Sequence, residues 1–261
     1  MFLTGISLQH FRNYTNQTFF FHKPLTIIQA PNASGKTNIL EAIHMLSTGA
    51  SFRDGTIDDF IQIDQEYGRI KAALMTGDDE KSEVELLLSH GTVGGKSTQK
   101  KIFSINGVRK QLRHGIGQLS CVSFIPEDLR IITGSPTRRR KFLDTLLSQL
   151  DQEYIHNLTT YEQALRRRNK VLQQIREGET PRTALAFWDQ SVLKHGIFVQ
   201  EKRRALIDQL NLQRTECHNQ SSIINVQTSS NNKFQSSKRE NLFDNFSIEY
   251  DSSVISEARL Q

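Results

Sequence analysis

Apolar and polar positions change their period twice along this chain. Up to about residue 125 the pattern is short-range and mixed. The runs Leu3–Leu8, Phe19–Phe21 and Leu25–Ala30 predict strands. The third is almost continuously apolar, as a strand covered on both faces would be. Asn38–Ser47 carries Ile39, Leu40, Ile43 and Leu46 at helical spacing. Tyr67–Met75 and Val84–Leu88 predict a strand pair joined by the polar turn Gly77-Asp78-Asp79. Lys101–Ile105 and Val108–Gln111 flank Asn106-Gly107, the strongest short hairpin signal. Cys121–Ile125 predicts a last buried strand, ended by Pro126. After residue 134 the period lengthens. Leu143, Leu146, Leu147, Leu150, Tyr154, Leu158, Tyr161, Leu165, Leu172 and Ile175 form one stripe on one long helix or two consecutive ones. Gly178 stops the stripe, and Thr180-Pro181 restarts it as N-cap and N1. Leu185, Trp188, Val192, Val199, Leu206 and Leu210 carry it on. The expectation is a helical hairpin, Pro136–Glu177 against Pro181–Leu212, with Trp188 in its core. Residues 219–239 are rich in Ser, Asn and Gln and read as a loose connector, and Leu242–Tyr250 as one more strand. The implied division is an N-terminal lobe 1–133, a helical lobe 134–214, and a connector with a further start of structure over 215–261.

One motif carries chemistry. Ala30-Pro31-Asn32-Ala33-Ser34-Gly35-Lys36-Thr37 fits the phosphate-loop pattern, with Ala in place of the first Gly. Such a loop turns successive backbone N–H groups around an anion. The helix that follows aims its positive end at the same spot. Lys36 then reaches the β and γ phosphates, and the Thr37 hydroxyl serves Mg²⁺, so ATP with Mg²⁺ is the expected ligand. An apolar run before the loop and a helix with Glu41 in its first turn after it give the right context. Ala30 costs turn geometry wherever that position needs φ > 0. Gly95-Lys96-Ser97 ends in the same way, but His90 stands where the first Gly would be and no helix follows. It reads as a hairpin loop.

Composition bounds the rest. The 261 residues carry 33 Lys+Arg against 28 Asp+Glu, a net charge of +5 that is compatible with a polyanionic partner. The excess concentrates in residues 134–214, where 15 Lys/Arg and 9 Asp/Glu leave 15 − 9 = +6. The clusters are Arg138-Arg139-Arg140-Lys141, Arg166-Arg167-Arg168 with Lys170, and Lys202-Arg203-Arg204. On a helix each triplet spreads around the axis, so only part of it faces one partner. Arg138, Arg139, Arg140, Arg167 and Arg203 are the candidate DNA contacts, through phosphates and without sequence preference. No interleaved aromatic set points to base stacking. A solvated helix face is the plain alternative for these charges. Cys121 and Cys217 make neither a disulfide framework nor a zinc site, and His10, His22 and His44 lack metal spacing. No apolar run is long enough for a membrane helix, and Met1-Phe2-Leu3 opens no signal peptide. A reduced, cytoplasmic setting without a membrane is expected.

With the loop placed, the chain resembles the RecF family of bacterial DNA repair proteins. The likeness rests on Leu8-Gln9-His10-Phe11-Arg12-Asn13-Tyr14, on Ala30–Thr37 running into Asn38-Ile39-Leu40-Glu41-Ala42-Ile43, and on Ser51-Phe52-Arg53. It continues through Phe124-Ile125-Pro126-Glu127-Asp128-Leu129 and Gly134-Ser135-Pro136-Thr137-Arg138-Arg139-Arg140-Lys141-Phe142-Leu143-Asp144, then Tyr154, Leu158, Tyr161 and Arg168-Asn169. The resemblance implies an α/β fold: a P-loop, ABC-type ATPase head related to SMC heads, with an inserted, mostly helical lobe. It implies ATP and DNA binding, an ATP-dependent homodimer, and action at single-strand gaps with RecO and RecR to help load RecA, linked to replication and the SOS response. It places Arg12 and Asn13 near the nucleotide, Arg53 on the same cleft, and Glu127 at the joint between lobes, where a helix-start carboxylate is the alternative.

Two departures matter. The family's loop has Gly and Asn-Gly where this chain has Ala30 and Asn32-Ala33. Neither an ABC signature run nor a Walker B strand ending in acids occurs after the helical lobe, so no catalytic residue is assigned. Impaired ATP hydrolysis and uncovered sheet faces or edges are expected. The competing function is a nucleotide-independent module that binds DNA or protein and keeps a vestigial loop. Another SMC-like head is disfavoured, because arms of about 35–40 residues reach only some 55–60 Å.

Overall fold

In the computed structural model, residues 1–22, 25–53, 55–76 and 80–221 are described, with side chains to residue 213. They divide into two compact units, Met1–Ile155 and the residues from His156 onward. The boundary drawn at 133/134 from the change of period falls earlier in the chain than this division.

The first unit is built on an antiparallel sheet. Its strands are β1 (Phe2–Phe11), β2 (Tyr14–Phe20), β3 (Tyr67–Met75), β4 (Lys81–Ser89), β7 (Lys101–Ile105) and β8 (Val108–Lys110), in the order β2-β1-β3-β4-β7-β8. Two short strands, β5 (Thr92–Val93) and β6 (Lys96–Ser97), form a separate hairpin. Alternation decides the faces. Ile6 and Leu8, Ile70, Ala72 and Leu74, Val84, Leu86 and Leu88, and Phe103 are all buried, and they form one core with Ile39, Ala42, Met45 and Leu46 of helix α1 (Lys36–Thr48). Between those positions β3 and β4 carry charges that pair across the strands, Lys71 with Glu83 at 2.8 Å and Arg69 with Glu85 at 3.3 Å. The Asn106-Gly107 hairpin forms as expected: both residues take positive φ, 49° and 76°, and Ile105 faces Val108. Gly94 and Gly95, at φ 57° and 72°, turn the β5–β6 hairpin, so Gly95-Lys96-Ser97 is a hairpin tip.

Two expected strands are absent. Residues 25–30 and 121–125 form no strand, and Leu25, Ile27, Val122 and Phe124 are 71%, 80%, 85% and 81% exposed. An apolar run favours the strand conformation, but a ladder needs a partner, and no described segment pairs with either. The turn expected at residues 77–79 and the strand expected at 242–250 lie outside the described residues.

The helices break where local chemistry says they should. After the short α2 (Leu112–Gly115) and α3 (Arg130–Thr133), helix α4 (Pro136–Leu150) begins with Pro136 at its first position, following Ser135. It stops at Asp151, whose Oδ1 accepts the N–H groups of Glu153 and Tyr154 and so starts α5 (Gln152–Arg176). The long stripe is therefore two helices. Within the first unit Gln149 ties α4 down: its Oε1 accepts the Ser47 hydroxyl of α1 at 2.7 Å and the Cys121 N–H at 2.8 Å. In the second unit α5 ends before Gly178 (φ 79°), and a 3₁₀ turn (Arg182–Leu185) precedes α6 (Ala186–Ser221). That helix starts later than Pro181 and runs past Leu212, into the first residues of the segment read as a connector. Asn157 with His195 and Arg168 with Asp189, at 2.7 and 2.5 Å, set α5 and α6 antiparallel.

Candidate functional site

Residues 30–37 form the entry to α1. Gly35 caps the helix from the left-handed region at φ 100° and offers no side-chain cap. Its carbonyl accepts the Asn38 and Ile39 N–H groups, at 2.8 and 3.2 Å. The first two helical amides, of Lys36 and Thr37, are left pointing out of the helix end. Ala33, not Ala30, is the other loop residue at positive φ, 63°. The geometric cost of replacing glycine therefore falls one turn later than the sequence pattern indicates. The Lys36 ammonium folds back over the loop and donates to the Ala30 and Pro31 carbonyls, at 2.5 and 2.7 Å. Ser34 Oγ is buried without a partner. Thr37 is exposed.

The turn between β1 and β2 presses against this loop. Asn13 Nδ2 donates to the Ser34 carbonyl at 3.2 Å, and Tyr14 Oη reaches the same oxygen at 3.4 Å. Burial raises the Tyr14 phenol above its ordinary pKa, so it stays a neutral donor. Asn38 Nδ2 donates to Asn13 Oδ1 at 2.8 Å, and Arg53 donates to Asn38 Oδ1 at 2.9 Å. These side chains link Arg53 to the loop through two amides. A Cβ on Gly35 would lie 2.6 Å from the ends of both Asn13 and Tyr14, which would have to swing aside, and the positive φ by itself favours glycine there.

Arg12 is placed differently from Asn13. It turns towards α1 and grips Glu41 in bidentate fashion, Nε to Oε2 at 3.0 Å and Nη2 to Oε1 at 2.8 Å. Nη1 donates to the Asp59 carbonyl at 2.8 Å, and the guanidinium lies 4.8 Å from the Phe60 ring centre. Glu41 is fully buried and also takes the Ser51 hydroxyl at 2.5 Å and Arg53 at 3.5 Å. Since α1 begins at Lys36, this carboxylate sits in the second turn, facing inward, and not in the first. Arg12 itself adopts φ 54°, a backbone state that costs a non-glycine residue about 1 kcal/mol and that the Glu41 grip holds in place. Sequence reasoning found Arg12, Asn13 and Arg53 but not Glu41, Asn38 and Tyr14 as their partners. Glu127 is exposed, whereas its neighbour Asp128 takes the cap by accepting the Ile125 N–H at 2.9 Å.

The basic candidates separate by exposure. Arg138, Arg139 and Arg140 are exposed on the first turn of α4, which carries no acid. Cations at a helix N-terminus oppose its dipole, although Arg139 donates to the Gly134 carbonyl at 3.0 Å and Arg140 to the Thr137 hydroxyl at 3.2 Å. Arg167 is exposed, but Arg203 is buried, 8% accessible, and is withdrawn from solution because its face of α6 packs inward. Trp188 is not core either. It is half-buried and lines an open groove of about 600 Å³ with Gln163, Arg166, Arg167 and Lys170. Among the described residues no cluster of His, Cys, Asp and Glu suits a metal ion, and no helix is long and apolar enough to cross a membrane.

An AAA domain family model matches residues 6–256. The DNA replication and repair protein RecF of Acholeplasma laidlawii is 38% identical over 209 residues, 80% of this chain and 56% of that protein. The RecF of Thermoanaerobacter sp. (strain X514) is 34% identical over 197 residues, 75% of this chain and 52% of that protein. A solved structure of the recombination mediator protein RecF with ATP, in the RecFOR pathway, superimposes with a TM-score of 0.73 at 30% identity, over 80% of this chain and 54% of that one. The chain thus spans about half the length of the curated relatives it matches.

Proposed function

From the premise that the chain belongs to the AAA domain family and, within it, to the RecF-like ABC/SMC-type ATPase heads, we propose that it binds ATP with Mg²⁺ at residues 30–37 and binds DNA through exposed cations. The observation that carries the nucleotide half is the helix entry at Gly35. Two outward amides, an adjacent lysine and an orphaned buried hydroxyl on Ser34 meet on one turn of chain. This donor set fits a polyphosphate. Lys36 would hold the β and γ phosphates of the bound nucleotide, and Thr37 would offer its hydroxyl to Mg²⁺. Asn13 and Tyr14 hold the Ser34 carbonyl and with it the loop's shape. Arg12 stays on Glu41 and acts by positioning the β1–β2 turn.

Phosphoryl transfer depends on acids and donors placed around metal and water. Glu41, the acid nearest the loop in sequence, is consumed by two arginines. The chain by itself therefore holds ATP and turns it over slowly. On DNA, double-stranded or gapped, Arg138, Arg139, Arg140 and Arg167 contact phosphates without sequence preference. The wider role we propose follows the family resemblance: repair at single-strand gaps in the cytoplasm, RecR- and RecO-like partners, help in RecA loading, SOS induction, and an ATP-dependent dimer.

A second reading, a nucleotide-independent binding module, draws on the Lys36 ammonium being satisfied by its own loop. Calorimetry decides between them. Mg-ATP is expected to bind the folded chain and to lose at least tenfold in affinity in Lys36→Ala. Absence of binding heat in the parent chain sinks the nucleotide reading and leaves the second one standing.

A further inference from the structure

The sheet of the first unit has two edges, β2 and β8. A free edge offers a row of unpaired N–H and C=O groups, and folded proteins guard it with charge, Pro, a bulge or shortness. β8 is guarded: it has 3 residues, and two of them are Arg109 and Lys110. β2 is not. Its 7 residues, Tyr14-Thr15-Asn16-Gln17-Thr18-Phe19-Phe20, hold no charge, no Pro and no Gly. Thr, Tyr and Phe favour the strand state. Asn16, Gln17 and Thr18 are exposed, and Phe20 is 72% exposed.

Which groups face outward follows from the pairing with β1. The Phe21 N–H donates to the Thr4 carbonyl at 2.9 Å, and the register runs on through Gly5 with Phe20, Ile6 with Phe19 and Ser7 with Thr18. Backbone groups alternate in an antiparallel ladder, so Phe19 and Gln17 turn theirs to β1. The Phe19 carbonyl agrees, lying 3.2 Å from where a Cβ on Gly5 would stand. The Ser7 and Thr18 hydroxyls meet at 2.9 Å, as side chains do in the close, non-hydrogen-bonded pairs. Asn16, Thr18 and Phe20 therefore direct N–H and C=O away from the sheet, and no described segment pairs with them there.

We propose that the β2 edge is a pairing surface for the β2 edge of a second copy of this chain, antiparallel across a two-fold axis close to Thr18 and formed without nucleotide. The inference goes beyond the ATP and DNA reading and rests on no part of it. Charge selects the occupant. Like charges facing each other across a ladder destabilise it. Two copies of β2 bring none, whereas two copies of β8 would set Arg109 and Lys110 against themselves. The antiparallel two-fold also matches outward group to outward group: Asn16, Thr18 and Phe20 meet the same three residues of the other copy. Phe20, whose ring lies over Gly5, is then covered. Such a contact is isologous and closes at the dimer, because it consumes the unguarded edge of each copy. A strand pair alone falls short of the roughly 1,000 Å² of a stable interface, so the dimer is weak and concentration-dependent.

Sedimentation velocity and residue-resolved amide exchange of the full chain, without nucleotide, test this. The parent should dimerise reversibly as its concentration rises. The Asn16, Thr18 and Phe20 amides should slow in step, while those of Gln17 and Phe19, already bonded to β1, should not change. Thr18→Lys and Thr18→Glu should each weaken dimerisation about tenfold. An equimolar mixture of the two should recover it, which misfolded variants could not do. Thr18→Val, neutral and strand-forming, should associate as the parent does. A parent that stays monomeric up to about 1 mM overturns the proposal. So does association that leaves the three amides unprotected, or that survives Thr18→Lys and is lost in Ile27→Asp with Phe124→Asp, which would assign it to the exposed apolar runs. Protection of the three amides at every concentration would show the edge covered within one molecule, and a mixture no better than its components would show that Thr18 does not lie near the axis. Either result also defeats it.

Discussion

Two neighbouring loop residues share a backbone region and not a tolerance. Gly35 sits at φ 100°, and a Cβ there would push aside the ends of Asn13 and Tyr14, which close over it at 2.6 Å. Gly35→Ala therefore combines backbone strain with displacement of the two side chains that hold the Ser34 carbonyl. We expect a loss of about 2 kcal/mol or more and a weaker Mg-ATP isotherm. Ala33 already carries positive φ, 63°. Ala33→Gly relieves about 1 kcal/mol of strain, but it loosens the unfolded chain by a similar amount. The urea midpoint should move by less than about 1 kcal/mol equivalent, and a large loss would show that the Ala33 methyl is needed. Glu41 sets a second contrast. Arg12 grips it with two bonds and is 19% exposed, whereas Arg53 touches it at 3.5 Å and is 39% exposed. Glu41→Ala strands Arg12 on a strained turn and should cost about 2–4 kcal/mol. Arg53→Ala should cost under about 1 kcal/mol. Equal costs would show that the Arg12 pair does not hold the turn.

Helix α1 is the element that joins loop, network and core, and its pH response follows from His44. Burial pushes this imidazole below its ordinary pKa, with Lys141 adding to the effect and Asp128 and Glu41 opposing it. The ring packs edge-on to Phe52 and meets the Ser123 hydroxyl at 3.3 Å. A base with a depressed pKa binds fewer protons folded than unfolded, so stability rises with pH in that window. As pH falls below about 6.5 towards the folded value, stability should decline. His195 is lowered too, by burial, Lys194 and His156, and adds a decline of the same sign in the second unit. Urea midpoints at pH 7.5 and 5 should differ less in His44→Gln than in the parent, and less again with His195→Gln added. A parent slope that survives both substitutions would place the titrating groups elsewhere. The elements also show what a sequence carries. Asn106-Gly107 and the spacing of Ile39, Ile43 and Leu46 are local signals, and hairpin and helix formed where they said. The Asp151 break was hidden because a helix restart leaves the apolar period almost unbroken. The Arg12–Glu41 grip and the Trp188 groove are tertiary. Each joins residues that no spacing rule connects, and so neither was legible beforehand.

At the scale of the molecule, the segments misread as buried strands present some of the most exposed apolar side chains among the described residues. Their apolar runs were read as buried strands, but strand and burial alike belong to the partner as much as to the segment. Residues 25–28 and 122–124 present Leu25, Ile27, Val122 and Phe124 to solvent at 71%, 80%, 85% and 81% exposure. Exposed, unpaired apolar chain is a template for pairing with another chain. The folded chain should therefore associate as its concentration rises. Ile27→Asp together with Phe124→Asp removes almost no native contact, so the urea midpoint should shift by no more than about 0.5 kcal/mol equivalent. The same pair places a charge on each apolar run, and light scattering should then show less association at equal concentration. If the double variant scatters as the parent does, the association surface lies elsewhere. If it instead unfolds, these side chains are inside the protein in solution, and the exposed course of both segments is wrong.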